Sequence, residues 1–374
     1  MKNHPDVMKA LAEARPAQLD PPRTPPFPFP LPDRTVTGRR HRRFRAAALI
    51  PAGALAAAAV TAVAVVAIDP GGPAPTPHGP GASVEAAQPL AASQILLTAA
   101  ERSTEDAPRS GRYLVVRRES GSVITVGSGT ATYEMTAKSS QETWLSRSGE
   151  EPTWVTFQKL GLTPLTPADA AAWRAAGSPE QVMIGKPLPT GELGPGSAVS
   201  TSAGPRESSS WGADLYALGD TSVSVRDLEN LPTDPPALRT ALLEHFHGGG
   251  GDLPTDRDQW LLAVASSLIT DIPVSGPVRA AAFRLIATMP GVRSLGVVTD
   301  QRGREGQGFA FTSVNAASGP IERRFVIDLA TGRALGEESR VLRPSGTTAK
   351  LKPGSLLGYS VVLEQRTTDE TPPK

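Results

Sequence analysis

The sequence predicts an α+β protein: a single N-terminal transmembrane helix followed by an exported domain of antiparallel sheet curved around helices. Three observations predict it. Ala46 to Ile68 is a run of 23 residues without a charge, preceded by a cluster of arginines. Short segments rich in Val, Thr, Tyr and Trp, divided by Gly, Ser or Asp turns, fill 112–158 and 293–365. Between them, 234–289 carries apolar residues at helical spacing.

As a helix the uncharged run rises about 34 Å, enough for a hydrocarbon core of roughly 30 Å. Arg39, Arg40, Arg42, Arg43 and Arg45 flank it on one side only, which places the N-terminus in the cytoplasm. The same arginines are expected to meet anionic lipid headgroups, while 46–68 meets the bilayer interior. Twelve of the 23 residues are Ala, so Leu49, Ile50, Leu55, Val60 and the valines up to Ile68 supply the apolar content. A cleaved signal peptide is the rival reading, with Ala62-Val63-Ala64 as the cleavage site. The 45 residues that precede the run are far more than such a peptide carries.

Residues 1–38 read as a cytoplasmic tail. Asp6 to Arg15 has an amphipathic pattern too short to hold a helix alone. Pro21 to Pro32 has seven prolines in twelve residues and favours polyproline II, a form that a cytoplasmic protein partner could dock. Residues 69–89 are a Pro/Gly-rich tether reaching about 65 Å at ~3.1 Å per residue.

The exported domain is expected to span 90–366, with 367–374 a polar tail. Leu90 to Arg102 spaces Ile95, Leu96, Ala99 and Ala100 as a helix. Strands follow at Arg112 to Arg118, Ser122 to Val126, Thr130 to Lys138, Gln141 to Ser146 and Thr153 to Phe157. Ser120-Gly121 and Ser148-Gly149 read as hairpin tips. Pro167 to Ala176 is a short helix with Thr166 as N-cap and Gly177 past its end. Residues 187–210, mostly Gly, Pro and Ser, read as a loop, and Trp211 to Leu218 with Thr221 to Val225 as a hairpin.

In the helical block, Pro236 to Phe246 starts on a proline and stops at Gly248. Thr255 to Thr270 opens with a capping-box pattern, Thr255 with Asp258, and Pro277 to Thr288 ends at Met289-Pro290-Gly291. Strands then recur at Leu295 to Thr299, Gly308 to Val314, Arg323 to Leu329, Ala334 to Leu342 and Tyr359 to Gln365, with tips at 300–303, 316–320 and 330–332. Pattern alone leaves open whether the two sheet segments are one layer.

Composition excludes several functions. With 38 basic and 37 acidic residues, no global field recruits nucleic acid. Zero Cys removes disulfides, thiolate zinc sites, Cys nucleophiles and a lipidated anchor. His245 and His247 are the histidines of the folded part, and at i, i+2 they diverge on a helix. Asp252, Asp256 and Asp258 follow the glycines 248–251 without EF-hand spacing or the Lys of a phosphate loop. No G-x-S-x-G occurs. Glu119, Glu134, Glu142 and Glu322 lie singly in strand regions, where a solvent-facing role is the ordinary one. No catalytic, cofactor-binding or metal-ligating residue is assigned, and no cofactor.

Leu231 to Leu243 (LPTDPPALRTALL), Met289 to Val292 (MPGV), Val298 to Gly306 (VTDQRGREG) and Val326 to Glu338 (VIDLATGRALGEE), behind a basic-flanked span, resemble a family of uncharacterised actinobacterial single-pass membrane proteins. The resemblance covers about 39–366 and implies no activity; an association of some members with sigma-factor genes implies signalling. More loosely, the paired sheets look like the open half-barrels of lipoprotein carriers and sigma-regulator sensor domains. The tail departs from a classical anti-sigma protein, being short, proline-rich and without zinc-ligand Cys. The expectation is a non-enzymatic, membrane-anchored extracytoplasmic binding or sensor-like protein. Carriage of an apolar envelope ligand is the alternative, and an envelope hydrolase using His245 or His247 the third reading.

Overall fold

The computed structural model describes residues 91–105, 110–128, 131–148, 151–211 and 216–373, all within one compact unit, Ile50–Lys374. The cytoplasmic tail, the 46–68 span and the tether lie outside the described residues. Among the described residues no helix is long and apolar enough to cross a membrane.

The domain is α+β, built on an eleven-stranded antiparallel sheet. Its strands are β1 (Tyr113–Ser128), β2 (Ala131–Ser146), β3 (Thr153–Pro164), β4 (Gln181–Pro187), β5 (Leu193–Ser200), β6 (Arg206–Trp211), β9 (Arg293–Thr299), β10 (Glu305–Asn315), β11 (Gly319–Asp328), β12 (Arg333–Val341) and β13 (Leu356–Thr368), while β7 (Tyr216–Leu218) and β8 (Thr221–Val223) form a separate pair. The main order is β6-β3-β2-β1-β13-β12-β11-β10-β9, with β4 attached to β1 and β5 to β4. The two sheet segments read from the sequence are therefore one sheet. Their join is the first strand on the last, from Tyr113↔Thr368 to Ser122↔Gly358, with a bulge at Arg117/Arg118.

Ser120-Gly121 is not a hairpin tip. Both residues sit inside β1, which pairs with β2 without interruption from Tyr113↔Ser146 to Ser128↔Ala131. Gly121 is there for room: a Cβ on it would lie 2.3 Å from the Tyr359 ring and 2.8 Å from Thr136 Cγ2. Glycine serves close approach as well as turning, and sequence alone does not separate the two. The segment 187–210 is likewise not a loop. It holds the end of β4, all of β5 and most of β6, their Gly and Ser content being tolerated because these strands lie at sheet margins.

The helices are α1 (Ala92–Thr104), α2 (Pro167–Ala175), α3 (Val225–Glu229), α4 (Pro235–Glu244), α5 (Arg257–Thr270) and α6 (Gly276–Ala287). Thr166 caps α2 by accepting from the Asp169 N–H, and the Asp169 carboxylate accepts back from Thr166 N. The cap of α5 is Asp256, which accepts from Gln259 N at 2.9 Å, and not Thr255 with Asp258. A carboxylate suits the first-turn N–H groups and the helix dipole better than a hydroxyl one residue earlier. At the other end of α5, Arg118 of β1 donates to the carbonyls of Thr270 (2.9 Å) and Asp271 (2.5 Å). Both oxygens are among those a helix C-terminus leaves without a partner.

The main core lies between the helices and β10–β12. Leu96, Trp260, Phe283, Phe309, Phe325 and Ile327 are each at most 1% exposed within it. Phe309 and Phe325 face each other across paired strands, stacked at 5.2 Å. Strand alternation explains why Phe325 and Ile327 enter this core while Arg324 turns to the opposite face.

That opposite face carries an Arg/Glu ladder. Glu322 is in register with Arg340 and Arg324 with Glu338, and side-chain bonds join Arg293 and Arg324 to Glu322 and Arg324 and Arg340 to Glu338. A one-residue slip would turn Phe325 out of the core. A two-residue slip would keep it inside but set Glu322 against Glu338, or Arg324 against Arg340, so charge fixes what apolarity leaves free.

Candidate binding groove

Strands β1, β2, β3 and β6 bring alternate polar residues onto the sheet face turned away from α3. Leu114, Val116 and Leu145 pack with Val225 of α3 on the near face; Arg117 and Glu142, paired across β1 and β2, point the other way. Register extends the polar row through Glu142↔Thr156, Ser140↔Gln158 and Gln158↔Arg206. With Gln141 and Phe157 these residues line an open groove of about 100 Å³.

Hydrogen bonds hold its members in place. Glu142 accepts from Trp144 Nε1 at 2.8 Å and from Arg206 at 3.2 Å, and is itself only 18% exposed. Arg206 and Arg117 keep about half their side chains open, at 56% and 48%, although Arg117 also pairs with Glu364 at 3.4 Å. Gln158 donates to Gly204 O, and the hydroxyls of Thr156 and Ser208 lie 2.9 Å apart. An amide, hydroxyls and two guanidinium groups thus share one shallow surface. Such a mixture offers donors and a partly apolar floor to a polar ligand.

A second recess lies between β1, β12, β13 and the α5–α6 connection. It is about 20 Å³, room for one water, and is lined by Arg118, Thr270, Arg279, Arg333 and Gln365 among others. Nearby, Thr270 donates to Glu337, which also pairs with the buried Arg323 at 3.3 Å. The space where sheet meets helices is therefore occupied by aromatic side chains on one side and by charge pairs on the other.

The residues singled out by sequence do not converge. His245 is the C-cap of α4, half-buried, and burial holds its imidazole below the ordinary range; His247, which lowers it further, is exposed, while Glu244 and Asp227 pull it up. Asp256 is a helix cap and Asp258 pairs with Arg239 at 3.5 Å. Among the described residues no three His, Asp or Glu side chains come together as a metal site would need.

The strand carboxylates are not simply a solvated face. Glu119, 12% exposed, pairs with Arg302 and accepts from the Tyr359 hydroxyl. Burial pushes Glu322 up, but hydrogen bonds and charge from Arg324 and Arg293 together hold it below the usual range. Burial raises Glu134, helped by Asp169 and opposed by Lys352. Of the groove residues only Glu142 was marked by sequence. Arg206 to Ser210 are polar without a break, so β6 shows no alternation from which a strand could be read.

No protein-family model matches the chain, and no curated protein matches it, so the actinobacterial resemblance has no counterpart in either comparison. Among solved structures the chain is similar to the crystal structure of a LolA superfamily protein from Nitrosomonas europaea. Identity is 10% and the TM-score 0.14, with 76% of this chain and 96% of that chain covered.

Proposed function

We propose that the protein is a membrane-anchored, extracytoplasmic binding protein without catalytic activity, taking a polar ligand on the Arg117–Glu142–Arg206 groove. The observation that carries the reading is the division between the two sheet faces. One is packed by Trp260, Phe283, Phe309 and Phe325, each at most 1% exposed; the other presents half-open guanidinium groups held by fixed carboxylates. The uncharged 46–68 run and its arginine flank support the anchor, and the proline-rich tail supports a cytoplasmic partner that would link binding to sigma-factor signalling.

Thermal shift of the full chain against neutral oligosaccharides and short acidic peptides tests the groove. Stabilisation by one class, lost in an Arg117→Ala/Arg206→Ala variant, is the expected result; no stabilisation by either overturns it. Carriage of an apolar ligand would require α5 and α6 to lift from Phe309 and Phe325. Co-purified lipid in native mass spectrometry would favour that alternative. A tail peptide 1–38 that captures no cytoplasmic protein would remove the signalling half.

A further inference from the structure

The β4–β5 hairpin packs Val182, Ile184 and Val199 against β1–β3 but holds few strand pairs to them. It meets β1 through the single pair Val126↔Ile184, and among the described residues β5 pairs with β4 alone. Val182 of β4 is buried, whereas Met183, Leu188 and Leu193 are 57%, 38% and 39% exposed. A tight turn closes the tip, with Leu188 N donating to Glu192 O at 2.7 Å and Gly191 N to Leu188 O at 2.8 Å. The tip lies against the loop after β12, since a Cβ on Gly191 would come within 2.9 Å of both Ala349 Cβ and Lys350 N.

That contact gathers charge around the apolar residues. The described residues include five lysines, and Lys186, Lys350 and Lys352, all exposed, are on this hairpin and loop. Carboxylates share the region: Glu192 in the turn, Glu134 near Lys352 and Glu180 just before β4. Exposed aliphatic side chains on a hairpin and loop that also carry exposed lysines match the interface of an anionic bilayer: apolar tips enter among the acyl chains and ammonium groups stay with the headgroups. A partner strand fits less well, because β5 carries Pro195, which has no N–H to donate, between two glycines.

The chain outside the described residues points to the same occupant. The 46–68 run ends before a tether of 21 residues, 69–89, which holds the domain within about 65 Å of whatever surface that run occupies. At such an effective concentration a weak contact is enough. We propose that the β4–β5 hairpin, with Met183, Leu188 and Leu193 inserted and Lys186, Lys350 and Lys352 at the headgroups, docks the domain on an anionic membrane surface. This rests on the anchor reading above and adds a second attachment to it.

The chain has no Cys, so a single labelled site can be introduced without removing another. Full-length Leu188→Cys, carrying an environment-sensitive fluorophore, is reconstituted into phosphatidylcholine vesicles with and without phosphatidylglycerol. The expected result is quenching by spin-labelled lipid of about twofold in the anionic vesicles, and less in the neutral ones. Val297→Cys, at a β9 residue 73% exposed, should stay unquenched. Protein that floats with the vesicles but is unquenched at 188 overturns the hairpin contact and leaves the anchor standing. Protein that does not float overturns both. Cross-linking between two copies through position 188, with no quenching, would assign the patch to self-association and overturn the proposal.

Discussion

Arg302, in the β9–β10 turn, forms an ion pair at 3.2 Å with Glu119 of β1, five places away along the sheet order β9-β10-β11-β12-β13-β1. The turn reaches it by curling over the ladder face. Gln301 donates to Glu338 at 3.2 Å, and Arg304 donates to Leu335 O at 2.8 Å while pairing with the buried Asp300. A bulge at Gly308/Phe309, opposite Gly296 with its φ of 73°, bends the two strands so that their tip can lie there. A long hairpin thus covers charges that would otherwise sit on an open sheet.

Arg302→Ala should lower stability by about 0.5–1 kcal/mol, because Arg302 is half-exposed and water screens its side of the pair. Glu119→Gln should cost more, since the more enclosed carboxylate also serves Tyr359. Urea denaturation of both single variants and the double variant measures the coupling; a coupling near zero would mean the turn is held by Asp300, Gln301 and Arg304 without Arg302.

Gly121→Ala should destabilise by about 1–3 kcal/mol through forced displacement of the Tyr359 ring. Combining it with Tyr359→Leu should recover part of the loss, because the ring atoms at the site of the clash are gone. Equal costs with and without the second change would refute the close-approach account.

Arg118→Ala should cost about 1–3 kcal/mol, leaving the Thr270 and Asp271 carbonyls with fewer donors at the end of α5. Lysine at 118 should restore a fraction only, having a point charge where the guanidinium serves two oxygens. Chemical denaturation with hydrogen exchange on the last turn of α5 checks it; unchanged exchange there would exclude the capping role.

His245 has its folded pKa below its unfolded value, so the unfolded chain takes up the proton first as pH falls. Stability should therefore decline as pH drops below roughly 6.5 and level off once pH is below the folded pKa. His245→Gln should flatten that dependence. An identical pH profile in the variant would place the titration elsewhere.

Glu134 carries the opposite sign. Its carboxyl is raised by burial, so the native state holds the proton over the window just above the unfolded pKa, and stability falls as pH rises through it. Glu134→Gln should raise the midpoint of thermal unfolding at neutral pH and leave it unchanged in acid. Equal gains at both pH values would indicate a packing effect instead.

Strand positions were legible in the sequence where one face is apolar, as in Phe325 and Ile327 with Arg324 between them. Helix ends were legible where Pro, Thr or Asp fixes the first turn, though α5 shows that two adjacent candidates, Thr255 and Asp256, are not separated by pattern. Gly121 misled because it makes room in a central strand for Tyr359, far away in the chain, and the 187–210 segment misled because Gly, Ser and Pro at a sheet margin look like turn residues. The groove was least visible. Arg117, Gln158 and Arg206 come from three strands, and only register makes them neighbours.

The pairing of Tyr113 with Thr368 has a kinetic side. A ribosome delivers β1 some 250 residues before the strand that must lie beside it, so β1–β3 wait as an open-edged fragment throughout synthesis. Loss of the last 19 residues, Leu356 to Lys374, would strip β13 from between two half-sheets, leaving each with a sticky margin. Such a truncation is expected to accumulate as aggregate rather than as a shortened, working domain.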